Sequence, residues 1–525
     1  MKWLSSVHKA TQRFLNSQRY HLRGGYRSRF FHASNPKPDQ IRSSSSLYSG
    51  HYYSTSTILN VTESSSDRWP ESNKIDNNVK KVDLEIISRE TVKPSSPTPQ
   101  HLRTFNFSII DQFMLDMYTP LILFLPNTDK ASVSDVVIKR SKLLKDSLSK
   151  ILTRFYPFAG KVKNTLHIEC NDEGIYYAEA RVNQTLEEFL GHPDDDESVR
   201  GLVPESPCTV ESSKRNYVIG VQVNIFKCGG IALSTSLSHK IFDGHTYYMF
   251  MKAWAAAARG SPETVSPSFV ASEIFPHNPC LENSMPSKLL ATKRGSTKRF
   301  VFDSTALALL KAQPVASVNS THPPTRTEAT SALIWKAVAH AASKVRPFGP
   351  QSPHALLSAV NLRQRASPHL PKESIGNLLD AAGAMCFPAS HLDLPTMMGE
   401  VRESIARINS DHIESMKGVK GHETFNEILR RLNQLMNVTV DGNCLFASSL
   451  LNSRIYELDF GWGKPIWFYI TNNGMARYMF LNDTLKGGGV EAIVTLSPEE
   501  MEIFEHDPEL LSYATVNPSP LQFVR

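Results

Sequence analysis

Alternating and helical spacings of apolar side chains predict a mixture of strands and helices from residue 82 onward. Val82–Ile87 alternates apolar and polar positions, which is typical of a half-buried strand. Over residues 134–155 the apolar positions recur at helical spacing, and Ser134 is a suitable N-cap. Tyr156–Lys161 then contains proline and glycine, which predict the end of that helix.

A β-hairpin is predicted over residues 217–238. Apolar side chains fill its first strand, Lys227–Gly230 supplies the turn, and Ile231–Leu233 opens the return strand. A helix is predicted over Tyr247–Ala258, where apolar residues dominate. Residues 261–298 contain many prolines and little periodicity, so we interpret them as a long crossover between two halves of the chain.

The second half continues as a mixture of strands and helices without strict alternation. Strands are predicted over Lys298–Phe302, Ala355–Leu362, Leu445–Leu451, Ile466–Thr471, Ala476–Phe480 and Glu491–Thr495. Helices are predicted over Thr327–Ser343, Met397–Met416, Glu423–Met436 and Pro498–His506. This pattern predicts an α/β or α+β class with mixed sheets.

Composition and charge narrow the class of protein. The chain has 525 residues, of which 41% are hydrophobic and 21% are charged, as in ordinary globular proteins with two or three domains. Because no apolar run reaches 18 residues, we predict no transmembrane helix. Residues 1–81 hold 13 of the 57 Lys and Arg and 5 of the 51 Asp and Glu, which leaves 44 basic against 46 acidic residues. This near-neutral remainder gives no reason to expect nucleic-acid binding.

The first 81 residues form a basic, Ser-rich extension. Within residues 1–62 there are nine Lys and Arg, twelve Ser and one acid, and the first fifteen residues suit an amphipathic helix. Such a segment is typical of an organellar transit peptide, and Arg29–Ser34 resembles a mitochondrial processing site. A disordered tail, or a gene-model extension upstream of the true start, is the alternative interpretation.

The six cysteines are scattered, with neither a C-x-x-C pair nor the spacing of a metal site. This pattern predicts free thiols in a reducing compartment and no bound metal. The cysteines are Cys170, Cys208, Cys228, Cys280, Cys386 and Cys444.

Candidate chemistry is concentrated in His239–Gly244, directly after the predicted return strand. A neutral imidazole titrates near physiological pH and can accept a proton from an attacking hydroxyl. The four-residue spacing lets Asp243 point back at the strand end, so a His–Asp dyad is one interpretation. A second motif, Asp459–Pro465, has two glycines around Trp462, which favour a tight structural turn over a catalytic acid at Asp459.

In this order, His239–Gly244 and Asp459–Pro465 resemble the motifs of the plant acyl-CoA-dependent acyltransferases of the BAHD family. Tyr156–Lys161 resembles the Tyr-Pro-x-Ala-Gly segment that this family tends to carry. The resemblance spans residues 82–525. It implies that the protein transfers an acyl group from a coenzyme A thioester to an alcohol or an amine, with His239 as the general base.

The resemblance also implies the architecture. It suggests an α/β fold with two chloramphenicol-acetyltransferase-like domains with mixed sheets, joined by a long crossover loop. Residues 82–260 would form the N-terminal domain with the His239 motif, residues 261–298 the crossover, and residues 299–525 the C-terminal domain with the Asp459 motif. Residues 1–81 would precede the domains as the extension.

Residue roles follow by resemblance at the matching positions. In the family the motif Asp faces away from the substrate and pairs with an Arg of the other half, which here is Arg363 in Asn361–Arg365. Its role is then to hold the turn by a charge-assisted hydrogen bond. Gly244 suits a turn whose backbone conformation is costly for other residues.

Ser448 retains the hydroxyl that donates to the oxyanion in hydroxycinnamoyl-transferring relatives. Leu450 replaces a Trp that is common in those relatives, and Ser449–Pro465 resembles the branch that acetylates alkaloids and terpenoids. We therefore assign catalytic importance to His239, Asp243, Asp459 and Ser448. We assign structural roles to Gly244, Arg363, Gly461, Trp462 and Gly463.

The leading hypothesis is an O-acyltransferase that uses acetyl-CoA to esterify a hydroxyl of a plant alkaloid or terpenoid. Alternatives are an amine acceptor, a non-catalytic binding protein with this fold, or the chemistry of peptide-synthetase condensation domains. We expect no permanently bound cofactor, acyl-CoA as co-substrate and a small-molecule alcohol as partner. We also expect a monomer without nucleic-acid or membrane partners, cytoplasmic by family resemblance, with mitochondrial import as the alternative.

Overall fold

The computed structural model describes residues 82–523 apart from short internal gaps. The extension predicted over residues 1–81 lies outside the described residues, as does part of the predicted crossover. The gaps are residue 165 and residues 192–195, 205–216, 263–264, 282–294, 317–321, 346–352, 387–391, 439–442, 472–473 and 476.

Strands and helices alternate irregularly along the described residues. The strands are β1 (Leu84–Val92), β2 (Thr104–Asn106), β3 (Tyr118–Leu125), β4 (Lys161–Val162), β5 (His167–Glu169), β6 (Ile175–Val182), β7 (Ile219–Phe226), β8 (Ile231–Ser238), β9 (Ser296–Phe302), β10 (His354–Asn361), β11 (Leu379–Cys386), β12 (Cys444–Ser449), β13 (Trp467–Ile470), β14 (Tyr478–Asp483), β15 (Val490–Leu496) and β16 (Thr515–Val516).

The α-helices flank these strands. They are α1 (Ile109–Phe113), α2 (Val133–Asp135), α3 (Ser141–Leu152), α4 (Leu186–Gly191), α5 (Asp196–Arg200), α6 (Gly244–Ala258), α7 (Ala271–Ile274), α8 (Ser304–Lys311), α9 (Arg326–Val345), α10 (Leu394–Ala406), α11 (Ser410–Met416), α12 (Gly421–Val438), α13 (Pro498–Phe504) and α14 (Pro508–Leu511). A π-helical turn joins α2 to α3, and short 3₁₀ turns occupy Gln100–Leu102, Tyr156–Ala159, Ile455–Glu457 and Pro520–Phe523. Within the described residues, every helix is too short or too polar to cross a membrane.

A six-stranded mixed sheet carries the first half of the chain, in the order β1-β6-β7-β8-β3-β13. The predicted hairpin is its centre: β7 and β8 are antiparallel, every residue of both is buried, and Gly229 in the turn has a φ of 77°. Both strands are buried along their whole length, and polar side chains among them are hydrogen-bonded to one another: Gln222 donates to Asn224, and Asn224 donates to Ser234. Helix α6 packs against α3, where the Trp254 indole donates to the Leu144 carbonyl at 3.1 Å.

A seven-stranded mixed sheet carries the second half, in the order β11-β10-β12-β14-β15-β9-β16. Strands β10, β12 and β14 run parallel, and the remaining neighbours are antiparallel. Helix α9 covers one face of this sheet with the buried Leu333, Ile334 and Trp335. Two mixed sheets with flanking helices agree with the predicted class.

One strand from the second half of the chain belongs to the first sheet. Strand β13 comes from the second half of the chain, yet it pairs with β3 and forms the edge of the first sheet, with Trp467 opposite Phe124. Periodicity correctly predicted a strand there but could not assign it to a sheet. Both sheets belong to one compact unit, and residues at the end of β8, in β12 and at the start of β14 line the same cavity.

Several predicted elements differ in their limits. The helix predicted over residues 134–155 begins at Val133 with Ser132, not Ser134, as its N-cap, and a π-helical turn over Val136–Arg140 divides it into α2 and α3. The helix predicted over Met397–Met416 is two helices, α10 and α11, separated at Arg407–Asn409, because the Asn409 side chain accepts from the His412 amide and starts a new helix. Helix α6 begins at Gly244, three residues earlier than predicted, because Asp243 caps it. Strand β9 begins at Ser296, inside the predicted crossover.

Candidate active site

His239 is the first residue after β8, and its backbone is held from both halves of the chain. Its amide donates to the Met117 carbonyl at 2.8 Å, which extends the β3–β8 pairing by one bond. Its carbonyl accepts from the Asn377 side-chain amide at 2.8 Å. The backbone position of His239 is therefore set independently of its imidazole.

The His239 side chain lines a cavity of about 520 Å³ between the two sheets. The imidazole is half-buried, so it can meet a ligand in this space. The wall contributed by the first half is mostly apolar and includes Met117, Leu237, Phe242 and Tyr247. The wall contributed by the second half includes Leu357, Leu379, Ser448, Leu450 and Tyr478.

The surroundings of His239 favour its neutral form. Burial lowers the pKa of the imidazole below its usual 6.5, and this effect outweighs the attraction of the Asp243 carboxylate. Within the described residues, the buried Nδ1 has no hydrogen-bond partner. A neutral imidazole on a cavity wall is the form that can accept a proton.

Asp243 is bound to Arg363 in a buried bidentate pair. The guanidinium donates to the two carboxylate oxygens at 2.6 and 3.2 Å, and both residues are at most 6% exposed. The carboxylate also accepts from the amides of Thr246 at 2.8 Å and Leu378 at 3.1 Å. Burial raises the pKa of Asp243, but Arg363 and these donors outweigh it, so the pKa lies below its usual value.

This geometry argues against the His–Asp dyad. Each Asp243 oxygen is occupied by Arg363 and by a backbone amide, and no hydrogen bond joins the carboxylate to the His239 ring in the described part of the chain. Asp243 therefore acts on the turn that carries His239, and the pair spans 120 positions of sequence.

Residues 374–378 brace the His239 turn from the second half. Arg363 donates to the carbonyls of Ser374 and Gly376, both at 3.0 Å. Asn377, fully buried, donates to an Asp111 oxygen through its backbone amide at 2.8 Å and through its side chain at 2.9 Å. Burial raises the pKa of Asp111 to about 6, although these bonds oppose the rise. The sequence alone indicates neither Asn377 nor Asp111, because no motif or local periodicity marks them.

The predicted reason for a glycine at position 244 does not apply in the structure. Gly244 is the first helical residue, and its φ lies outside the left-handed region, so its backbone conformation is open to any residue. Instead, a Cβ at this position would lie 2.5 Å from Cδ2 of Leu450 on the cavity wall. Glycine therefore leaves room for the Leu450 side chain, directly after β12, beside the start of α6.

Asp459 lies away from the cavity. Its Oδ1 accepts from the amides of Gly461 at 2.8 Å and Gly463 at 3.2 Å, and these glycines have φ values of 110° and 131°. Asp459 is not among the cavity-lining residues. The carboxylate thus closes a turn whose backbone conformation only glycine adopts easily.

Helix α6 connects the two motifs. Asp243 caps its start, and Arg259 at its end donates to the Asp459 carbonyl. The helix has 15 residues, so the motifs are about 22 Å apart.

Trp462 is buried below the Arg140 guanidinium, whose Cζ lies 5.2 Å from the centre of the indole ring. The Trp462 carbonyl accepts a hydrogen bond from the Thr128 hydroxyl at 2.6 Å.

Ser448 and Tyr478 place two hydroxyls on the cavity wall. Ser448 lies on β12 and Tyr478 on the neighbouring strand β14, and their hydroxyls are hydrogen-bonded to each other. The structure therefore brings Ser448 to the same cavity as His239. No motif marks Tyr478 in the sequence.

Within the described residues, no group of three or more His, Cys, Asp and Glu is arranged to hold a metal.

The family model described as Transferase family matches residues 82–511. Over 462 residues the chain is 37% identical to a limonoid 7-O-acetyltransferase from Citrus sinensis, with 84% of this chain and all of that protein covered. It is 32% identical to stemmadenine O-acetyltransferase from Catharanthus roseus, with 81% of this chain and 96% of that protein covered.

Solved structures show the same fold. The crystal structure of vinorine synthase matches with a TM-score of 0.71 and 32% identity, over 82% of this chain and 98% of that chain. An F. graminearum protein crystallised with coenzyme A and T-2 mycotoxin matches with a TM-score of 0.62 and 17% identity, over 79% of this chain and all of that chain. The predicted α/β fold with two mixed-sheet halves is thereby confirmed.

Proposed function

This chain belongs to the Transferase family of plant BAHD acyl-CoA-dependent acyltransferases, and we propose that His239 is the general base of its reaction. The chain is an O-acyltransferase of the branch that acetylates alkaloids and terpenoids, and acyl-CoA is its co-substrate. The donor that we propose is acetyl-CoA. The acceptor that we propose is a hydroxyl of a polycyclic alkaloid or terpenoid.

His239 would take the proton of the acceptor hydroxyl as its oxygen attacks the thioester carbonyl carbon. The carbon–sulfur bond then breaks, and the coenzyme A thiolate leaves with the proton that the imidazole holds. The lowered pKa of His239 supports this role, because the ring is neutral and ready to accept. Ser448 would donate a hydrogen bond to the developing oxyanion.

Asp243 and Arg363 would position the base without exchanging protons with the substrate. The bidentate pair and the Asn377 contact to the His239 carbonyl hold both ends of the turn. Positioning of this kind lowers the barrier by holding reacting groups at the right separation. Asp459 would contribute through the fold of its glycine turn.

The cavity supports a bulky apolar acceptor. Most of its lining side chains are aliphatic or aromatic, and its volume of about 520 Å³ accommodates a polycyclic metabolite. Leu450, where hydroxycinnamoyl-transferring relatives carry Trp, lies beside the His239 turn. The limonoid and stemmadenine acetyltransferases supply the two acceptor classes to be tested.

The half-buried imidazole on a cavity shared by both halves is the observation that carries this proposal. The test is acyl transfer by the pure protein from labelled acetyl-CoA to limonoid and stemmadenine-type alcohols, with matched amines alongside and products identified by mass spectrometry. We expect an ester from an alcohol, abolished by His239→Ala. His340→Ala, a partly exposed histidine paired with Asp507, is the control that should retain activity.

The division into domains at residues 260 and 299, the monomeric state and the cytoplasmic location stay predictions. We propose that one chain suffices for activity, because both walls of the cavity come from the same chain. Light scattering of the active protein measures the mass directly, and a dimer as the sole active species contradicts the monomer.

A further inference from the structure

Two hydroxyls meet on the cavity wall and form a polar pair there. The Ser448 Oγ and the Tyr478 phenol are hydrogen-bonded, and both side chains line the cavity that contains His239. Strands β12 and β14 are parallel neighbours, with Ser448 opposite Phe480 and Phe446 opposite Tyr478. The two residues are therefore diagonal neighbours, within reach across adjacent strands.

We propose that Tyr478 is a positioning residue that orients the Ser448 hydroxyl, so that its proton points at the carbonyl oxygen of the bound thioester. The inference rests on the proposed function, because the oxyanion it serves arises only in acyl transfer. In this role Tyr478 does not contact the reacting atoms. Ser448 alone would touch the oxyanion.

A count of protons supports this arrangement. Each hydroxyl has one proton, and the bond between the two oxygens uses one of them. The other proton has no acceptor among the described residues, since the two hydroxyls form no further hydrogen bond there. It is therefore available to an oxygen atom of a ligand in the cavity.

The phenol can act as the donor in its bond to Ser448. Burial raises the pKa of Tyr478 to about 12, although the bond to Ser448 opposes the rise, so the phenol keeps its proton throughout the working pH range. When the phenol donates to Ser448 Oγ, the serine proton is the one left over. A hydroxyl that accepts a hydrogen bond is also a stronger donor, by about 10–30% per bond.

Without Tyr478 the serine hydroxyl would lose this orientation. Its proton could rotate about the Cβ–Oγ bond, and only part of the population would face the ligand. Loss of an oxyanion donor lowers kcat by about 10²-fold to 10³-fold. Loss of orientation alone should have a smaller effect, about tenfold, since the donor itself remains.

A double-mutant cycle tests this role. Tyr478→Phe, Ser448→Ala and the double variant are compared with the natural protein for kcat, for KM of acetyl-CoA and of the acceptor, and for thermal midpoint. We expect Tyr478→Phe to lower kcat about tenfold with both KM values unchanged, and to have no further effect in the Ser448→Ala background. Tyr513→Phe, which removes a phenol outside the cavity that contacts Gln313, is the control.

Two results overturn the inference. One is an unchanged kcat in Tyr478→Phe. The other is a decrease in kcat on Tyr478→Phe that is equally large with and without the Ser448 hydroxyl. A merely structural role would lower the thermal midpoint without this dependence on Ser448. His239→Ala is measured in parallel, because turnover that survives in it refutes the proposed function, whereas inactive His239→Ala beside a fully active Tyr478→Phe refutes only the role of Tyr478.

Discussion

The Asp243 carboxylate and the Arg363 guanidinium meet face to face across the two halves of the chain, at 2.6 and 3.2 Å. The same carboxylate caps helix α6, which begins beside His239 and ends at the Asp459 turn. This ion pair therefore joins the turn that carries the base to the second half of the chain. Removing either partner leaves the other charge buried and unpaired.

We expect Asp243→Ala to lower the free energy of unfolding by about 3–5 kcal/mol, because Arg363 would remain buried without its partner. Urea denaturation measures this change, and acyl transfer should fall with it as the His239 turn loosens. Asp146→Ala, which breaks an exposed pair with Lys142, is the matched control and should be neutral. An Asp243→Ala protein of normal stability contradicts the positioning role.

His239→Ala should separate chemistry from folding. The contacts of His239 to Met117 and Asn377 use backbone atoms, which alanine retains, so the thermal midpoint should stay close to its original value. Loss of the base should lower kcat by about 10²-fold to 10⁴-fold. Steady-state rates and a thermal melt on the same preparation check both statements. A variant that keeps turnover removes His239 from the mechanism.

The acid limb of the rate profile should lie below pH 6.5. His239 accepts a proton only when neutral, and burial lowers its pKa, so the active form persists at a lower pH than for an exposed imidazole. As pH falls through this lowered pKa the ring becomes charged and the rate drops. Measurement of kcat/KM from pH 5 to 8 locates the limb. A midpoint above 7 is incompatible with a desolvated imidazole as the base.

Gly244→Ala should destabilise the protein through Leu450. The added Cβ would lie 2.5 Å from a Leu450 methyl, an overlap that typically costs about 1–3 kcal/mol. Leu450→Ala removes that methyl, so the double variant should be less destabilised than the sum of the two single variants. Urea denaturation of the four proteins gives the coupling. Strict additivity would show that Gly244 is needed for another reason.

Asp459 can be tested by two substitutions with different predictions. Asp459→Asn keeps an oxygen that accepts from Gly461 and Gly463, so activity should be nearly unchanged. Asp459→Ala loses both bonds and should lower stability by about 1–2 kcal/mol, with a parallel loss of activity. A catalytic acid would behave differently, since Asp459→Asn would then be inactive although it folds normally.

Local patterns were sufficient for much of the fold. The β7–β8 hairpin and helices α3, α6 and α9 follow from spacing, because each element is stabilised by its own apolar face. Strand β3 was not predicted, since it has Pro120 in an otherwise apolar run and no alternation. It is recognisable only as a neighbour of β8 and β13.

The sequence by itself determined the family, the class of reaction and the identity of the candidate base, because His239–Gly244 and Asp459–Pro465 are short local motifs. Only the tertiary structure decided which residues surround the base. Asn377 reaches the His239 carbonyl from 138 positions away, and Tyr478 reaches Ser448 from the next strand. Contacts of this kind depend on how the two sheets pack, and no local periodicity along the chain encodes that packing.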